Sequence, residues 1–249
     1  ICPVIVFGHS TCHYSLVLKP RQGEAVELFN DWMGISGGGQ ALGRYAHYLG
    51  GITWIGLLYF FNFIQGAAFG EMSDASRGEA LRKITWRTLW WFRWAAMLTW
   101  VSGVWILVHQ ELIHDMDYWR SAPGMGIAFG AILGTTMAAN VWMVIWPNQK
   151  KVIAGSADAA EAGAKAGLAS RTNTLFSLPM LYLMVYSAHG GGLPMIAETS
   201  MNSLWIGLAI ILLIEANALF GKMNVMITSV KAVIHSGIAL TIIFGLLVH

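Results

Sequence analysis

The chain of 249 residues is 56% hydrophobic and only 11% charged, whereas ordinary soluble domains carry roughly 25% charged residues. Its formal net charge is only +2, and no basic run indicates binding to nucleic acid. These values disfavour a soluble enzyme and predict an all-α, polytopic integral membrane bundle with little mass outside the lipid bilayer.

The first 40 residues do not continue this pattern, because polar residues interrupt their apolar stretches. Both cysteines, Cys2 and Cys12, fall here, and His9 and His13 have the spacing that places two side chains on one helix face. We predict a peripheral tail over residues 1–40 and a six-helix transmembrane domain over residues 41–249. No CxxCH motif is present, so covalent haem c is not expected.

The first predicted span covers residues 45–65 and is long enough to cross a bilayer as a helix, since ~20 residues span ~30 Å. It also carries polar residues that a plain anchor does not need, with His47 near one end and Asn62 and Gln65 near the other. Polar groups in lipid are expensive and by default face the protein interior. This span is therefore the first candidate for function.

Five further apolar segments follow, and they complete a bundle of about six transmembrane helices. Gly126, Gly130 and Gly134 recur every four residues in the third span, a stripe that lets another helix approach closely. The five segments are residues 90–108, 125–146, 174–188, 201–220 and 232–248.

The basic residues are distributed unevenly between the two sides of this bundle. Eleven of the 15 Lys and Arg residues fall on the side opposite the N-terminus. The positive-inside rule makes that side cytoplasmic. We therefore predict a multi-pass protein of the bacterial inner membrane with both termini in the periplasm.

Four polar residues are predicted near the periplasmic side. His47 and Arg44 begin the first span, His109 ends the second and His189 ends the fourth. Neutral imidazole is a good ligand for haem iron, copper or zinc, so the three histidines are candidate haem or metal ligands. Arg44 is a candidate partner for a haem propionate. The alternative is that these histidines only form hydrogen bonds at the membrane interface.

A second polar cluster is predicted toward the cytoplasmic side. Glu215 is the most deeply placed acid, and an unpaired carboxylate there is costly, so we expect it to pair with Lys231 or His235. The cluster is either an interhelical hydrogen-bond clamp or part of a proton path or ligand site. Its members are Asn62, Asn140, Asn173, Glu215, Asn217, Lys231 and His235.

Several segments resemble the transmembrane domain of the membrane-bound urate oxidase family. They are HYLGGITWIGLLYFFNFIQG, LWWFRWAAMLTWVSGV, NVWMVIWPNQKKVI, SRTNTLFSLPMLYLM and EANALFG. The resemblance covers nearly everything from about residue 40 onward. It implies a helical bundle in a redox-linked, haem-binding setting. Family members that act on urate are expected to carry a c-type cytochrome domain, and we interpret this sequence as a short form without it.

These observations lead to two main hypotheses of different kinds. The first is a redox component, a candidate membrane oxidoreductase, with haem b or a metal ion near the periplasmic face and a periplasmic cytochrome as electron partner. The alternative is a non-catalytic accessory or structural subunit of a larger photosynthetic or respiratory membrane complex. The glycine stripe and the 12 tryptophans favour this alternative. A transporter is a third hypothesis, based only on Glu215 and the asparagines near it.

Overall fold

The structure is a computed structural model that describes residues 37–110, 112–189 and 200–248. Within these ranges all regular structure is helical, which confirms the predicted all-α bundle. The cysteines, His9, His13 and the rest of the predicted tail up to residue 36 lie outside the described residues. The first helix already begins at Gly38, inside the range that the sequence predicts as tail.

The described residues form seven α-helices, which are numbered here in chain order. Three of them contain a π-helical segment and continue through it. A short 3-10 turn, Leu112–His114, follows the second helix. The helices are α1 (Gly38–Glu71), α2 (Asp74–His109), α3 (Met116–Arg120), α4 (Ala122–Ala154), α5 (Ala159–His189), α6 (Met201–Phe220) and α7 (Val230–Val248).

Local sequence signals explain several helix ends. Ser73 and Ser121 precede α2 and α4, and the side-chain oxygen of each accepts a hydrogen bond from a backbone N–H of the first turn. Serine at this position satisfies a backbone donor that the helix itself leaves open. Helix α4 ends at Gly155, whose φ of 65° is the left-handed conformation that glycine adopts at low cost.

Five of the described helices, α1, α2, α4, α6 and α7, are long and apolar enough to cross a membrane. Helix α5 contains the predicted fourth span and is 31 residues long, but several polar residues lower its hydropathy. Thr172, Asn173, Thr174 and Ser177 are all buried inside the protein. Helix α5 packs on α4, α6 and α7 and also contacts α1, so its neighbours rather than lipid surround these polar groups.

Small residues allow the closest contacts between helices. A Cβ atom added at Gly50 of α1 would lie 2.7 Å from Oγ1 of Thr99 and 3.0 Å from its backbone nitrogen on α2. Two members of the predicted stripe, Gly126 and Gly130, likewise face Ser187 and Met184 of α5, whereas Gly134 faces open space. Close packing of this kind is a main source of helix association in lipid.

Large aromatic side chains fill the centre of the bundle. Phe129 of α4 and Phe244 of α7 are fully buried and meet edge to face, with ring centroids 5.0 Å apart. Gly207 of α6 lies against Phe129, where a Cβ would come within 2.3 Å of the ring. The three helices therefore interlock at one point, and none of the three residues can be enlarged without moving a helix.

An arginine surrounded by tryptophans joins α2 to α4. The Arg93 guanidinium carbon lies 3.9 Å from the ring centroid of Trp146 and 4.7 Å from that of Trp142. Trp86 stacks on Trp146 with centroids 5.0 Å apart. Guanidinium groups are attracted to the faces of indole rings, so this group stabilises the α2–α4 contact, and no ion pair joins Arg93 to an acidic residue in the described ranges.

The three π-helical segments lie at the same end of the bundle. They are Phe60–Gln65 in α1, Leu81–Thr85 in α2 and Asn140–Ile145 in α4. Segments of this type are rare and occur frequently at functional sites. We call this end the inner end, and we call the opposite end, where α1 begins and α2 finishes, the outer end.

Candidate functional site

His47 occupies the outer end, where α1 packs against the last turns of α2. Its Nδ1 atom lies 2.9 Å from the carbonyl oxygen of Thr99, and the ring is half-buried. A carbonyl oxygen only accepts hydrogen bonds, so Nδ1 carries the proton and Nε2 of the neutral ring holds the free lone pair. Histidines that bind metals are commonly oriented by a carbonyl in this way.

His109 lies further out on α2. Its ring stacks on Trp105 with centroids 5.5 Å apart and an interplanar angle of 14°. Gly103 of α2 lies directly opposite the His47 ring, and six residues of helix separate Gly103 from His109. The helical rise places His109 about 9 Å further toward the outer end than His47.

His189 and His47 lie at similar heights in the bundle. Tyr59 of α1 and Ser177 of α5 share a hydrogen bond of 3.0 Å, which fixes a common height for the two helices. His47 lies 12 residues from Tyr59 toward the outer end, and His189 lies 12 residues from Ser177 in the same direction. Both histidines are therefore about 18 Å beyond that hydrogen bond. His189 is exposed at the last residue of α5, and Arg44 is exposed one helical turn before His47.

The packing of α1 on α2 limits where a haem can sit. Besides the contact at Gly50, a Cβ at Gly103 would lie 3.1 Å from Cε1 of His47. No porphyrin fits between two helices in such close contact, so His47 and His109 do not sandwich a haem across this interface. The donor set still fits a haem or metal ion on a face of the α1–α2 pair, because Nε2 of His47 is not used by Thr99.

The structure does not gather three ligands at one point. Among the described residues, no group of three or more His, Cys, Asp or Glu side chains is arranged to hold a metal ion. The predicted outer histidines therefore do not form a three-ligand metal site in the described part of the chain, and His47 is the most constrained of them.

At the inner end, asparagines connect α4, α5 and α6 through one network. Asn140 of α4 donates from Nδ2 to Oδ1 of Asn173 and to Oε2 of Glu215, both at 3.0 Å. Asn173 in turn donates to the carbonyl oxygen of Met137 at 2.9 Å. Both asparagines are buried and Glu215 is half-buried. Asn140 thus ties α4 to both α5 and α6 by side-chain hydrogen bonds.

Two further hydrogen bonds bring α1 and α2 into this end of the bundle. Asn62 of α1 is buried and donates to Oγ of Ser170 on α5 at 2.8 Å. Thr85 of α2 donates to Oε1 of Gln65 on α1 at 2.9 Å. The inner end therefore joins α1, α2, α4, α5 and α6 by polar contacts.

The predicted pairing of Glu215 with Lys231 or His235 is wrong. Glu215 accepts from Asn140, and among the described residues no hydrogen bond or ion pair joins it to either basic residue. His235 is exposed, and its Nδ1 bonds to the carbonyl oxygen of Lys231 on the same helix. The sequence placed the two basic residues on one face of α7, and both are exposed there.

Asn217 also lies apart from the network. Together with Thr172 and Asn224, it lines a separate cavity of about 220 Å³. This cavity lies between α5, the end of α6 and the loop that follows α6. The Asn217 side chain packs against Gly221. A Cβ atom added at Gly221 would lie 2.2 Å from Oδ1 of Asn217. Of the predicted inner residues, the structure thus connects Asn140, Asn173 and Glu215 directly.

A second cavity of about 210 Å³ lies at the inner end, enclosed by α1, α2, α4 and α5. We call it the inner cavity. All three π-helical segments contribute to its wall, and the sequence reasoning missed it. The sequence features that could have indicated this cavity are Arg171, Gln65 and Gln149, which lie beside or within apolar segments. Its polar lining residues are Asn62, Gln65, Thr85, Gln149, Ser170 and Arg171.

Comparison with known proteins gives one match. A family model described as "Urate oxidase N-terminal" matches residues 117–247, slightly more than half of the chain, from α3 to nearly the end of α7. No curated protein and no solved structure matches the chain. The matched range contains Asn140, Asn173, Glu215 and His189, whereas His47 and His109 precede it.

Proposed function

Since the chain belongs to the urate oxidase N-terminal family, we propose that it is a redox component of a membrane that binds haem b or a metal ion. The five long apolar helices among the described residues support embedding in lipid. The proposed site lies near the periplasmic face of a bacterial inner membrane, with both termini on that side. The excess of basic residues toward the inner end supports this orientation.

The single observation that carries the proposal is the orientation of His47. Thr99 holds the proton-bearing Nδ1 at 2.9 Å, which leaves Nε2 as the coordinating atom. The hydroxyl oxygen of Ser102 lies 3.4 Å from Nδ1 and further limits rotation of the ring.

The other outer residues take supporting roles in this proposal. His189 is the proposed second ligand because it lies at the height of His47, and His109 is the substitute if a bound group sits closer to the rim. Arg44 lies three residues before His47 and would pair with a propionate or another acidic group of the bound molecule.

Haem b or a redox metal ion would supply one-electron transfer when bound. The chain's own residues would orient the ligating ring and keep water from its inner side, because Gly103 and the α1–α2 contact close the space behind His47. Electrons would pass to a separate periplasmic cytochrome. Any oxidoreductase activity of this chain would depend on such a partner.

The test is an absorption spectrum and an elemental analysis of the full chain purified from membranes in mild detergent. We expect a Soret band with a b-type haemochrome, or near-stoichiometric iron or copper. A protein that binds none of these, even after expression with added haem precursor and metals, would contradict the proposal.

A second candidate function is an accessory subunit of a larger photosynthetic or respiratory complex. The observation that favours it is a row of exposed tryptophans along the length of α2, since Trp100 and Trp105 lie well beyond the group around Arg93. Aromatic residues exposed along a whole helix are typical of protein contacts as well as of lipid interfaces. Native gel migration separates the two functions, because co-migration with a very large assembly supports the subunit and a single small species opposes it.

A further inference from the structure

The inner cavity contains a positive charge that the rest of the described chain does not neutralise. The Nη1 atom of Arg171 is buried and has no hydrogen-bond partner. Within the described ranges, no carboxylate lies within ion-pair distance of this guanidinium, and no acidic residue lines the cavity. A buried donor group without a partner is costly, so this arrangement points to a missing negative group.

Two other polar side chains in the wall keep donors to offer, whereas Asn62 donates both of its N–H groups to protein acceptors. Thr85 occupies the Oε1 acceptor of Gln65, so the amide N–H groups of Gln65 remain available. Ser170 accepts from Asn62, and its own hydroxyl proton can therefore be donated onward. A wall that offers one cation and several free donors is matched by a ligand that accepts hydrogen bonds.

The backbone around the cavity is also specialised. Gln65, Thr85 and Ile145 each come from a π-helical segment of a different helix, and all three line the same space. A π-helical turn widens the helix and changes the direction of its side chains, and such turns often mark functional sites. The three segments around one cavity therefore mark it as a candidate binding site.

We propose that the inner cavity binds a small organic oxyanion, with Arg171 as its charge partner. A cavity of about 150 Å³ is large enough for benzene, so this space of about 210 Å³ accommodates one ring bearing an acidic group. Arginine recognises carboxylate and phosphate through its planar fork of donors. The oxyanion comes either from a small soluble acid or from the headgroup of an anionic lipid.

The test follows thermal unfolding of the purified full chain in detergent by tryptophan fluorescence. Benzoate serves as the soluble probe, benzamide as its uncharged counterpart, and phosphatidylglycerol as the lipid probe. Binding to the folded state raises the unfolding temperature, and the rise grows with the logarithm of ligand concentration over Kd. We expect benzoate to stabilise the protein and benzamide not to do so.

Two substitutions remove the site in different ways. Arg171→Gln removes the charge and should weaken benzoate binding by about tenfold or more, because charge-assisted hydrogen bonds are the strong ones. Gly167→Leu fills the cavity instead, since Gly167 lines it and a Cβ there meets no atom within 4 Å. It keeps every polar group, so it remains informative if Arg171→Gln does not fold.

Matched controls separate the cavity from general effects. Arg87 is an exposed arginine at the same end, and Gly56 is an exposed helical glycine with open space around it. Arg87→Gln and Gly56→Leu should bind benzoate as the unchanged chain does. Stabilisation by phosphatidylglycerol alone, lost in the two cavity variants, would identify a lipid headgroup as the ligand. The proposal is overturned if neither probe stabilises the protein, or if the cavity variants respond like the controls.

Discussion

The two ends of the bundle are held together by different interactions. At the inner end, buried amides and hydroxyls link five helices through side-chain hydrogen bonds. At the outer end, glycines bring α1 against α2 and α4 against α5, and His47 supplies one polar link to the neighbouring helix. Hydrogen bonds specify which helices meet, whereas glycine contacts specify only how closely they approach. The inner end is therefore the more specific assembly.

The largest predicted effect comes from breaking the inner network at Asn173. Asn173→Ala removes the acceptor of one Asn140 hydrogen bond and leaves a small void at a fully buried position. We expect a loss of about 2 kcal/mol in the free energy of unfolding, because single interhelical hydrogen bonds contribute about 1 kcal/mol and the void adds to this. Denaturant titration in detergent measures it.

The matched outer variant is Ser187→Ala. The Ser187 hydroxyl is buried without a hydrogen-bond partner, so its removal should leave the free energy of unfolding unchanged or slightly increased. Equal losses for the inner and outer variants would remove the difference between the two ends.

The next effect tests the glycine contacts of the outer end. Gly50→Ala forces α1 away from the backbone of Thr99 and should lower the free energy of unfolding by about 1–2 kcal/mol. Gly56→Ala, on the same helix but with open space around it, should be neutral or stabilising because alanine favours the helix. If both variants behave alike, close approach is not what stabilises this interface.

A smaller effect is expected at Glu215. If the inner network is a clamp, Glu215→Gln keeps an acceptor for Asn140 and should change the free energy of unfolding by less than about 0.5 kcal/mol. Glu215→Leu removes the acceptor and should cost about 1 kcal/mol. An infrared carboxyl band that titrates near neutral pH in the unchanged chain would favour a proton path instead.

The smallest effect belongs to the solvated connector between α4 and α5. Hydrogen bonds from Lys151 and Ser156 lower the pKa of the exposed Asp158 carboxyl. A pKa that is lower in the folded than in the unfolded chain contributes stability that is present above the unfolded value and lost as pH falls through the folded value. Between about pH 5 and about pH 2, Asp158→Asn should therefore lose slightly less stability than the unchanged chain. An identical pH profile would show that this pair contributes nothing.

The sequence predicted the fold better than it predicted contacts. Hydropathy located the spans, and residues 201–220 coincide with α6, because the length of an apolar helix is set by the bilayer. The resemblance to the urate oxidase family was confirmed, although the family match begins only at residue 117. The first helix begins earlier than predicted, since glycines at 38 and 39 offered no apolar signal.

Specific partners could not be predicted, because they depend on how each helix is rotated. Sequence spacing placed Lys231 and His235 on one face of α7. It could not show which helix that face would meet. Asn140 was identified as a member of the polar cluster, yet its role as the link between Asn173 and Glu215 depends on three helices at once. The inner cavity was missed for the same reason, since its lining comes from four separate helices.

The most direct test of the account compares one histidine from each end of the bundle. The ring of His47 bonds to a carbonyl oxygen of α2, whereas His235 bonds to its own helix and is exposed. The measurement is the haem or metal content per chain of His47→Ala and His235→Ala, each purified like the unchanged protein. We predict that the first loses the bound group and its visible spectrum while the second keeps both. Full retention in His47→Ala, or equal loss in the two variants, would contradict a ligand site at the outer end.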